Sequence, residues 1–169
     1  MADGFTHKLA GSGSGLVFAA YRAKDQSPGD WIAEVAGGAV GGYLGGILPD
    51  ILEPAISSWH RGTVHSYVSG AALTICVYHT LSDWETACRR QAQNYRAIRM
   101  IRTPGGAFVA APADPLHQLF ATAGELFWRF LAGFLSGLAA GYISHLALDA
   151  ATPRSIPLTG SLVNRQMAT

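Results

Sequence analysis

The chain has 169 residues, which suffices for one domain over residues 1–169 but leaves no room for a second core of normal size. Its residues are 49% hydrophobic and only 14% charged, whereas a soluble domain typically carries about 25% charged residues. The formal net charge of +1 argues against nucleic acid as a main partner, because such surfaces need clustered Lys and Arg.

Four apolar stretches follow one another along the chain, at about residues 9–21, 32–48, 64–79 and 130–148. A helix that spans a bilayer needs about 20 apolar residues. The second and fourth stretches meet this length, the third is short, and the first is marginal. We predict an all-α polytopic membrane bundle with about four spanning or embedded helices; the alternative is a soluble helical bundle of the phospholipase C type.

Glycine is concentrated in the two strongest stretches. The glycines are Gly37, Gly38, Gly41, Gly42, Gly45 and Gly46 in the second stretch, and Gly133, Gly137 and Gly141 in the fourth. A spacing of four residues lets helix backbones approach closely in lipid. In a soluble helix each glycine would cost about 1 kcal/mol relative to alanine, so the pattern favours a membrane protein.

The segment 83–102 is rich in arginine and differs from the apolar stretches. It contains Arg89, Arg90, Arg96, Arg99 and Arg102, with Trp84, Tyr95, Ile98 and Ile101 between them. This pattern predicts an amphipathic helix at a membrane surface, or alternatively a solvated bundle helix. The sequence Thr-Pro-Gly-Gly at 103–106 would end it. Cys76 and Cys88 show no metal or redox spacing and are expected to be reduced or buried thiols.

Histidines and acids gather at the ends of the apolar stretches. They are His7 before the first, Asp50 and Glu53 after the second, His60 and His65 at the start of the third, and His145 and Asp149 at the end of the fourth. If each stretch crosses the membrane once, all of these residues lie on the same face. Ionisable groups near membrane segments are costly unless paired, which favours a shared site.

The local spacing suits a metal ion. His145 and Asp149 are four residues apart and so share a helical face, with Cβ atoms about 5–6 Å apart. They could hold one metal together, or Asp149 could orient the His145 ring. Imidazole and carboxylate ligands suit zinc, and also iron or manganese. We therefore expect one or two divalent transition-metal ions at an open catalytic site; His79 and His117 are excluded as ligands, and Asp50 alone could be a helix cap.

At these residues the chain resembles the YdjM-type family of bacterial inner-membrane-associated proteins, which are regarded as metal-dependent hydrolases. The matching pieces are Thr6-His7, Leu-Pro-Asp at 48–50, His-Arg-Gly-Thr-Val-His-Ser at 60–66, and Gly141 to Asp149 followed by Thr152-Pro153. By this resemblance, the metal-binding or catalytic positions are His7, Asp50, His60, His65, His145 and Asp149. The family is distantly similar to zinc-dependent phospholipases C and single-strand nucleases. The chain departs from the family pattern at Glu53 and Ser155.

These observations predict a membrane-bound hydrolase of phosphoester or related bonds in a lipid or other small-molecule substrate. Asp50 would bridge metals or act as general base, and Arg61 would contact a phosphate oxygen or anchor a headgroup. The alternative is a non-enzymatic membrane protein, such as a transporter or accessory protein, with a structural metal or none.

The expected location is the bacterial inner membrane, with several crossings. Seven basic residues fall on the face opposite the histidines, namely Arg22, Lys24, Arg89, Arg90, Arg96, Arg99 and Arg102. Four fall on the histidine face, namely Lys8, Arg61, Arg154 and Arg165. The positive-inside rule then puts the site on the periplasmic side. The count reverses if the arginine-rich segment forms a domain of its own.

Overall fold

The computed structural model describes residues 4–52, 67–102, 104–110 and 114–151, and its fold is dominated by helices. In chain order the elements are α1 (Gly4–Arg22), α2 (Pro28–Gly45), α3 (Leu48–Leu52), α4 (Tyr67–Arg99), β1 (Met100–Arg102), β2 (Phe108–Ala110) and α5 (Pro115–Ala150). Each of α1, α2, α4 and α5 is long, and the prediction of an all-α bundle is confirmed. The strands β1 and β2 form a short antiparallel hairpin in which Met100 pairs with Ala110.

The hairpin lies where the sequence predicted only a break. The turn contains Gly106 with a φ of 83°, a left-handed conformation that favours glycine. The hairpin joins the end of α4 to the start of α5, which begins after the N-cap Asp114 with Pro115 in its first turn. The fourth apolar stretch is therefore only the second half of a helix of 36 residues.

Helix α5 is the central helix and packs against α1, α2 and α4. Helices α2 and α5 run parallel, since Gly37 lies against Phe130 and Gly45 against Leu138. Helix α1 runs the opposite way, with Gly11 against Gly46 and Gly15 against Gly38. Helices that alternate in direction bring the start of α1 beside the ends of α2 and α5.

The glycines allow this close packing. A Cβ atom placed on Gly15 would overlap backbone atoms of Gly38 and Gly42, and one on Gly41 would overlap the backbone of Phe134. Such overlap cannot be relieved by turning a flexible side chain. The glycine spacing read from the sequence therefore lies on the helix–helix contacts, as expected for helices packed in lipid.

The polarity of the bundle is inverted relative to a soluble protein. The largest fully buried side chains among the described residues are Arg129, His7, His145, Glu34, Glu125, Asp149 and Pro49. Large apolar side chains such as Phe5, Leu9, Val17 and Phe127 are instead 58–71% exposed. A soluble bundle would bury the apolar side chains and expose the charged ones. This arrangement is consistent with a lipid environment.

Two helical segments among the described residues have the length and composition of a membrane span. They are Pro28–Leu52, which includes α3, and Pro115–Ala150. Both correspond to the two stretches that the sequence analysis found strongest.

The arginine-rich segment is helical, as expected, but it is not a separate helix at a membrane surface. Residues 83–99 are the second half of α4, and 100–102 belong to β1. Arg89 contacts Glu34 of α2, and Arg99 contacts Glu125 of α5. These two arginines turn toward the bundle because buried carboxylates on neighbouring helices attract them.

Cys88 lies in the same part of α4 and is a free, buried thiol. It packs with Leu81 against Ala132 and Leu135 of α5. Burial, reinforced by the charge of Glu85, raises the pKa of the Cys88 thiol. Its behaviour matches the expected reduced or buried cysteine.

Candidate metal centre

Four of the predicted site residues lie together at one end of the bundle, which we call the histidine end. His7 is in the second turn of α1, Asp50 is on α3, and His145 and Asp149 are in the last turns of α5. They meet because α1 is antiparallel to α5 and because α3 follows the end of α2. His60, Arg61 and His65, and also Glu53, lie outside the described residues.

Three of the four are almost completely buried. The exposed fraction is 2% for His7, 0% for His145 and 1% for Asp149. The side chain of Asp50 is 36% exposed and lies at the edge of the cluster. The cluster is thus buried within the bundle and reaches its surface at Asp50.

The orientation of the His145 ring is fixed by a backbone group. Its Nδ1 lies 2.7 Å from the carbonyl oxygen of Gly46, just past the end of α2. A carbonyl oxygen can only accept, so Nδ1 must donate its proton. In the neutral ring Nε2 then carries the lone pair, and Nε2 faces Asp149 and Asp50. Metal-binding histidines commonly have such a backbone partner on the other ring nitrogen.

Three nitrogen–oxygen pairs in the cluster lie at ion-pair distances slightly longer than a typical hydrogen bond. His7 Nε2 lies 3.5 Å from Asp149 Oδ1, and His145 Nε2 lies 3.6 Å from both Asp149 Oδ2 and Asp50 Oδ1. An N–H···O hydrogen bond would be about 2.7–3.2 Å. Two ligands of one tetrahedral zinc ion, each about 2.0–2.1 Å from the metal, would be about 3.4 Å apart. One ligand atom from each of His7, His145 and Asp149 lies within 4.8 Å of the others.

The close stacking of the two imidazole rings limits the positive charge that this pair can carry. The rings of His7 and His145 are stacked, with centroids 3.9 Å apart and an interplanar angle of 22°. Two positive charges at that distance would repel by about 4 kcal/mol at an effective dielectric constant of about 20. The pair therefore favours at most one protonated ring beside the two carboxylates, and a cation would complement this charge.

A second cluster, in which buried carboxylates pair with arginines, lies toward the opposite end and was not predicted from the sequence. We call it the arginine end; it consists of Arg22, Asp30, Glu34, Glu85, Arg89, Arg96, Arg99, Glu125 and Arg129. Arg129 Nη1 is 3.0 Å from Glu34 Oε1, and Arg89 Nη2 is 2.5 Å from Glu34 Oε2. Arg22 Nη2 lies 2.8 Å from Glu85 Oε2. Side chains from four helices are thus joined by ion pairs.

A sequence signal for this cluster existed. Glu34, Glu125 and Arg129 each lie within or beside apolar sequence, where an unpaired charge would be costly. Pairing them with the arginines of α4 would have predicted an internal network. The prediction of an amphipathic helix at the membrane surface instead assigned those arginines to the outside of the bundle.

Comparison with protein families identifies the family of the chain. The sequence model of the family described as YdjM inner membrane protein matches residues 1–160. The chain belongs to this family. The resemblance inferred from the sequence is thereby confirmed, and membership supports association with the inner membrane. No curated protein and no solved structure matches the chain significantly.

Proposed function

We propose that this member of the YdjM family is a membrane-bound, metal-dependent hydrolase that cuts phosphoester or related bonds of a membrane-associated substrate. The observation that carries the proposal is the buried group of His7, His145 and Asp149, whose donor atoms are spaced like ligands of one ion and which reaches the surface at Asp50.

The donor set fits a divalent transition metal such as zinc, with manganese or iron as further candidates. His7, His145 and Asp149 would hold the first ion, and His60 and His65 remain predicted ligands that would complete the site or hold a second ion. When bound, such an ion lowers the pKa of its water toward about 7 and polarises the bond to be cut.

Residues around the proposed ligands would orient a ligand ring, transfer a proton or bind the substrate. The Gly46 carbonyl holds the His145 ring so that Nε2 faces the carboxylates. Asp50, at the exposed edge of the cluster, would accept a proton from an attacking water or help to hold a second ion. Arg61 remains the predicted contact for a phosphate oxygen.

We further infer that the chain crosses the membrane several times with the histidine end on the periplasmic side. The arginines of α4 belong to the bundle at the arginine end, which supports counting them there under the positive-inside rule. A reporter fused at Thr169 tests this, because the end of α5 lies at the histidine end. Strong alkaline phosphatase activity is expected, and bright cytoplasmic fluorescence from the same fusion point would reverse the orientation.

Metal analysis combined with substrate screening tests the proposed activity. We expect purified protein to contain zinc or another transition metal and to hydrolyse a phosphomonoester, phosphodiester or phospholipid. His145→Ala should lose the metal, whereas Asp50→Asn should keep much of it and lose about 100-fold or more in turnover. His117→Ala is the matched control, since His117 is exposed on the same helix. Absence of metal from the wild type would refute the proposal.

A structural metal site is the second candidate, and the burial of the cluster favours it. Structural zinc sites are closed by protein ligands, whereas catalytic sites keep one position open. In that case a chelator would unfold the protein, no substrate would be turned over, and Asp50→Asn would be indistinguishable from wild type.

A further inference from the structure

A groove runs between α1 and α4 on the outside of the bundle. Both helices pack against α5, and the space left between them has a volume of about 640 Å³. We call it the α1–α4 groove. Its walls include Val17 and Phe18 from α1 and Tyr78 from α4, and its floor includes Ala139 and Ala140 from α5. The small residues make the floor deep, and the large residues form the rim.

The groove has the chemistry of a site for a hydrocarbon chain. Ligand sites are typically about 300–1,000 Å³ and mainly apolar, and this groove lies within that range. Val17 is 66% exposed and Tyr78 is 39% exposed, so the rim faces whatever surrounds the bundle. In an inner-membrane protein the surroundings at this depth are lipid chains, and burial of a chain in the recess would shield its apolar surface further.

The groove extends along α1 from Ser14, on the side of the histidine end, to Tyr21, on the side of the arginine end. At the first end it reaches Ser144, the residue before His145, and Ser14, which lies about 10 Å along α1 from His7. Next to Phe18, Tyr78 and Ala139 the groove adjoins a separate cavity of only about 10 Å³ bounded by Ser82 and Glu85. That cavity is too small to admit a chain.

We propose that the α1–α4 groove binds one hydrocarbon chain of a membrane lipid, and that the substrate of the metal centre is a lipid phosphoester held by this chain. The second part rests on the proposed hydrolase function. A chain lying along the groove with its polar end toward the histidine end would place that end beside Ser144, the residue before His145. The groove would thus bring the phosphoester of a lipid from the adjacent leaflet to Asp50 and the buried ligands.

Photocrosslinking tests the binding without relying on activity. The protein would be placed in nanodiscs of phosphatidylethanolamine and phosphatidylglycerol that contain a trace of phosphatidylethanolamine with a diazirine in its acyl chain. We expect labelling to concentrate at Val17 and Tyr78 relative to Val40, which is 47% exposed on α2. Ala140→Trp would fill the floor and lower groove labelling about tenfold, because its ring occupies the space of the chain.

The matched control is Ala123→Trp, on an exposed position of α5 outside the groove, which should leave labelling unchanged. Ser144→Leu is a second and smaller obstruction if Ala140→Trp does not fold. The proposed lipid site would be wrong if Val40 and the groove residues were labelled equally and if a folded Ala140→Trp or Ser144→Leu variant left this labelling unchanged. That result would mean that the probe reports only the surrounding lipid.

Hydrolysis supplies the second readout. Ala140→Trp should lower the ratio of turnover on a long-chain phospholipid to turnover on a short, soluble phosphodiester about tenfold, as expected when one pocket contact is replaced by a clash. Specific groove labelling in a protein that hydrolyses neither substrate would uphold the lipid site and reject the hydrolase. Hydrolysis of both substrates with an unchanged ratio would uphold the hydrolase and reject the groove as a substrate site.

Discussion

The histidine end and the arginine end both bury carboxylates, but they stabilise them in different ways. At the arginine end each of Asp30, Glu34, Glu85 and Glu125 has a guanidinium nitrogen within 2.8 Å. At the histidine end, Asp149 and Asp50 face imidazole nitrogens at 3.5–3.6 Å. The carboxylates of the arginine end are thus held by short ion pairs with guanidinium groups, whereas those of the histidine end face imidazole nitrogens at longer ion-pair distances.

This difference separates a structural cluster from a candidate site. Arginine keeps its charge at any accessible pH and holds carboxylates through fixed, paired donors. Histidine can present a neutral nitrogen with a lone pair, which is the form that metals bind. Both ends bury charge, and the type of group facing the carboxylate is what distinguishes them.

The distance between the two ends is also shorter than the thickness of the hydrocarbon layer of a bilayer. Arg129 and His145 lie about 24 Å apart along α5, and the hydrocarbon layer is about 30 Å thick. If α5 crosses the bilayer, at least one cluster lies within the apolar layer, or the bilayer thins around the protein. Complete burial of Arg129 and His145 inside the bundle suits either arrangement.

The largest effect is expected from breaking the centre of the arginine end. Arg129 is 1% exposed and pairs with Glu34, which is 0% exposed. Arg129→Ala removes a guanidinium that contacts both Glu34 and Asp30, and the loss of one partner of a buried ion pair typically costs about 3–5 kcal/mol. Arg89 still pairs with Glu34, so we expect the lower part of this range. The measurement is reversible unfolding in detergent. Arg90→Ala, at an exposed position on α4, is the control and should change stability little.

A double variant sharpens this result. Arg129→Met combined with Glu34→Gln removes both charges and should be more stable than Arg129→Ala alone. A loss below about 1 kcal/mol for Arg129→Ala would mean that the network behaves like an exposed one.

Metal addition should act on the histidine end alone. An ion that binds only the folded state at 100 times its dissociation constant adds about 2.7 kcal/mol of stability. Wild type and Arg90→Ala should both gain this stability when zinc is added after chelation, and His145→Ala should not. An equal gain by His145→Ala would place the effect of zinc elsewhere.

The sequence predicted the histidine end better than the arginine end, and the reason is topological. Helices that alternate in direction bring His7, Asp50, His145 and Asp149 to the same end of the bundle, however the helices pack in detail. The order of the helices along the chain was therefore sufficient to predict that these residues lie together. The ring stacking of His7 on His145 and the Gly46 carbonyl contact depend on helix rotation, which composition does not specify.

The arginine end could not be derived in the same way. Whether Arg89 faces a membrane surface or Glu34 depends on where α4 begins and how it rotates against α2 and α5. The sequence analysis treated the third apolar stretch and the arginine-rich segment as separate elements, but a single helix runs from Tyr67 to Arg99. The hairpin of β1 and β2 was likewise hidden, since strands of three residues carry little pattern.

The packing between the two ends is tested by two glycines on α1. Gly15 faces the backbone of α2, whereas nothing lies within 4 Å of a Cβ placed on Gly13. Gly15→Ala should therefore destabilise the bundle by about 1–3 kcal/mol through overpacking. Gly13→Ala should be neutral or stabilise by up to about 1 kcal/mol, because alanine favours the helix. Equal effects in detergent unfolding would contradict the close α1–α2 contact.

The smallest effect is expected at the rim of the arginine end. Arg96 contacts Asp30 and Glu125 at 2.6 Å, but its side chain is 38% exposed. Both carboxylates keep another arginine nearby, since Arg99 lies 2.6 Å from Glu125 and Arg129 lies 3.6 Å from Asp30. Arg96→Ala should therefore cost at most about 1 kcal/mol, as is usual for exposed ion pairs, and the loss should shrink further in high salt. A loss of stability as large as that of Arg129→Ala would contradict this expectation. It would show that the partly exposed Arg96 stabilises the network as much as the buried Arg129 does.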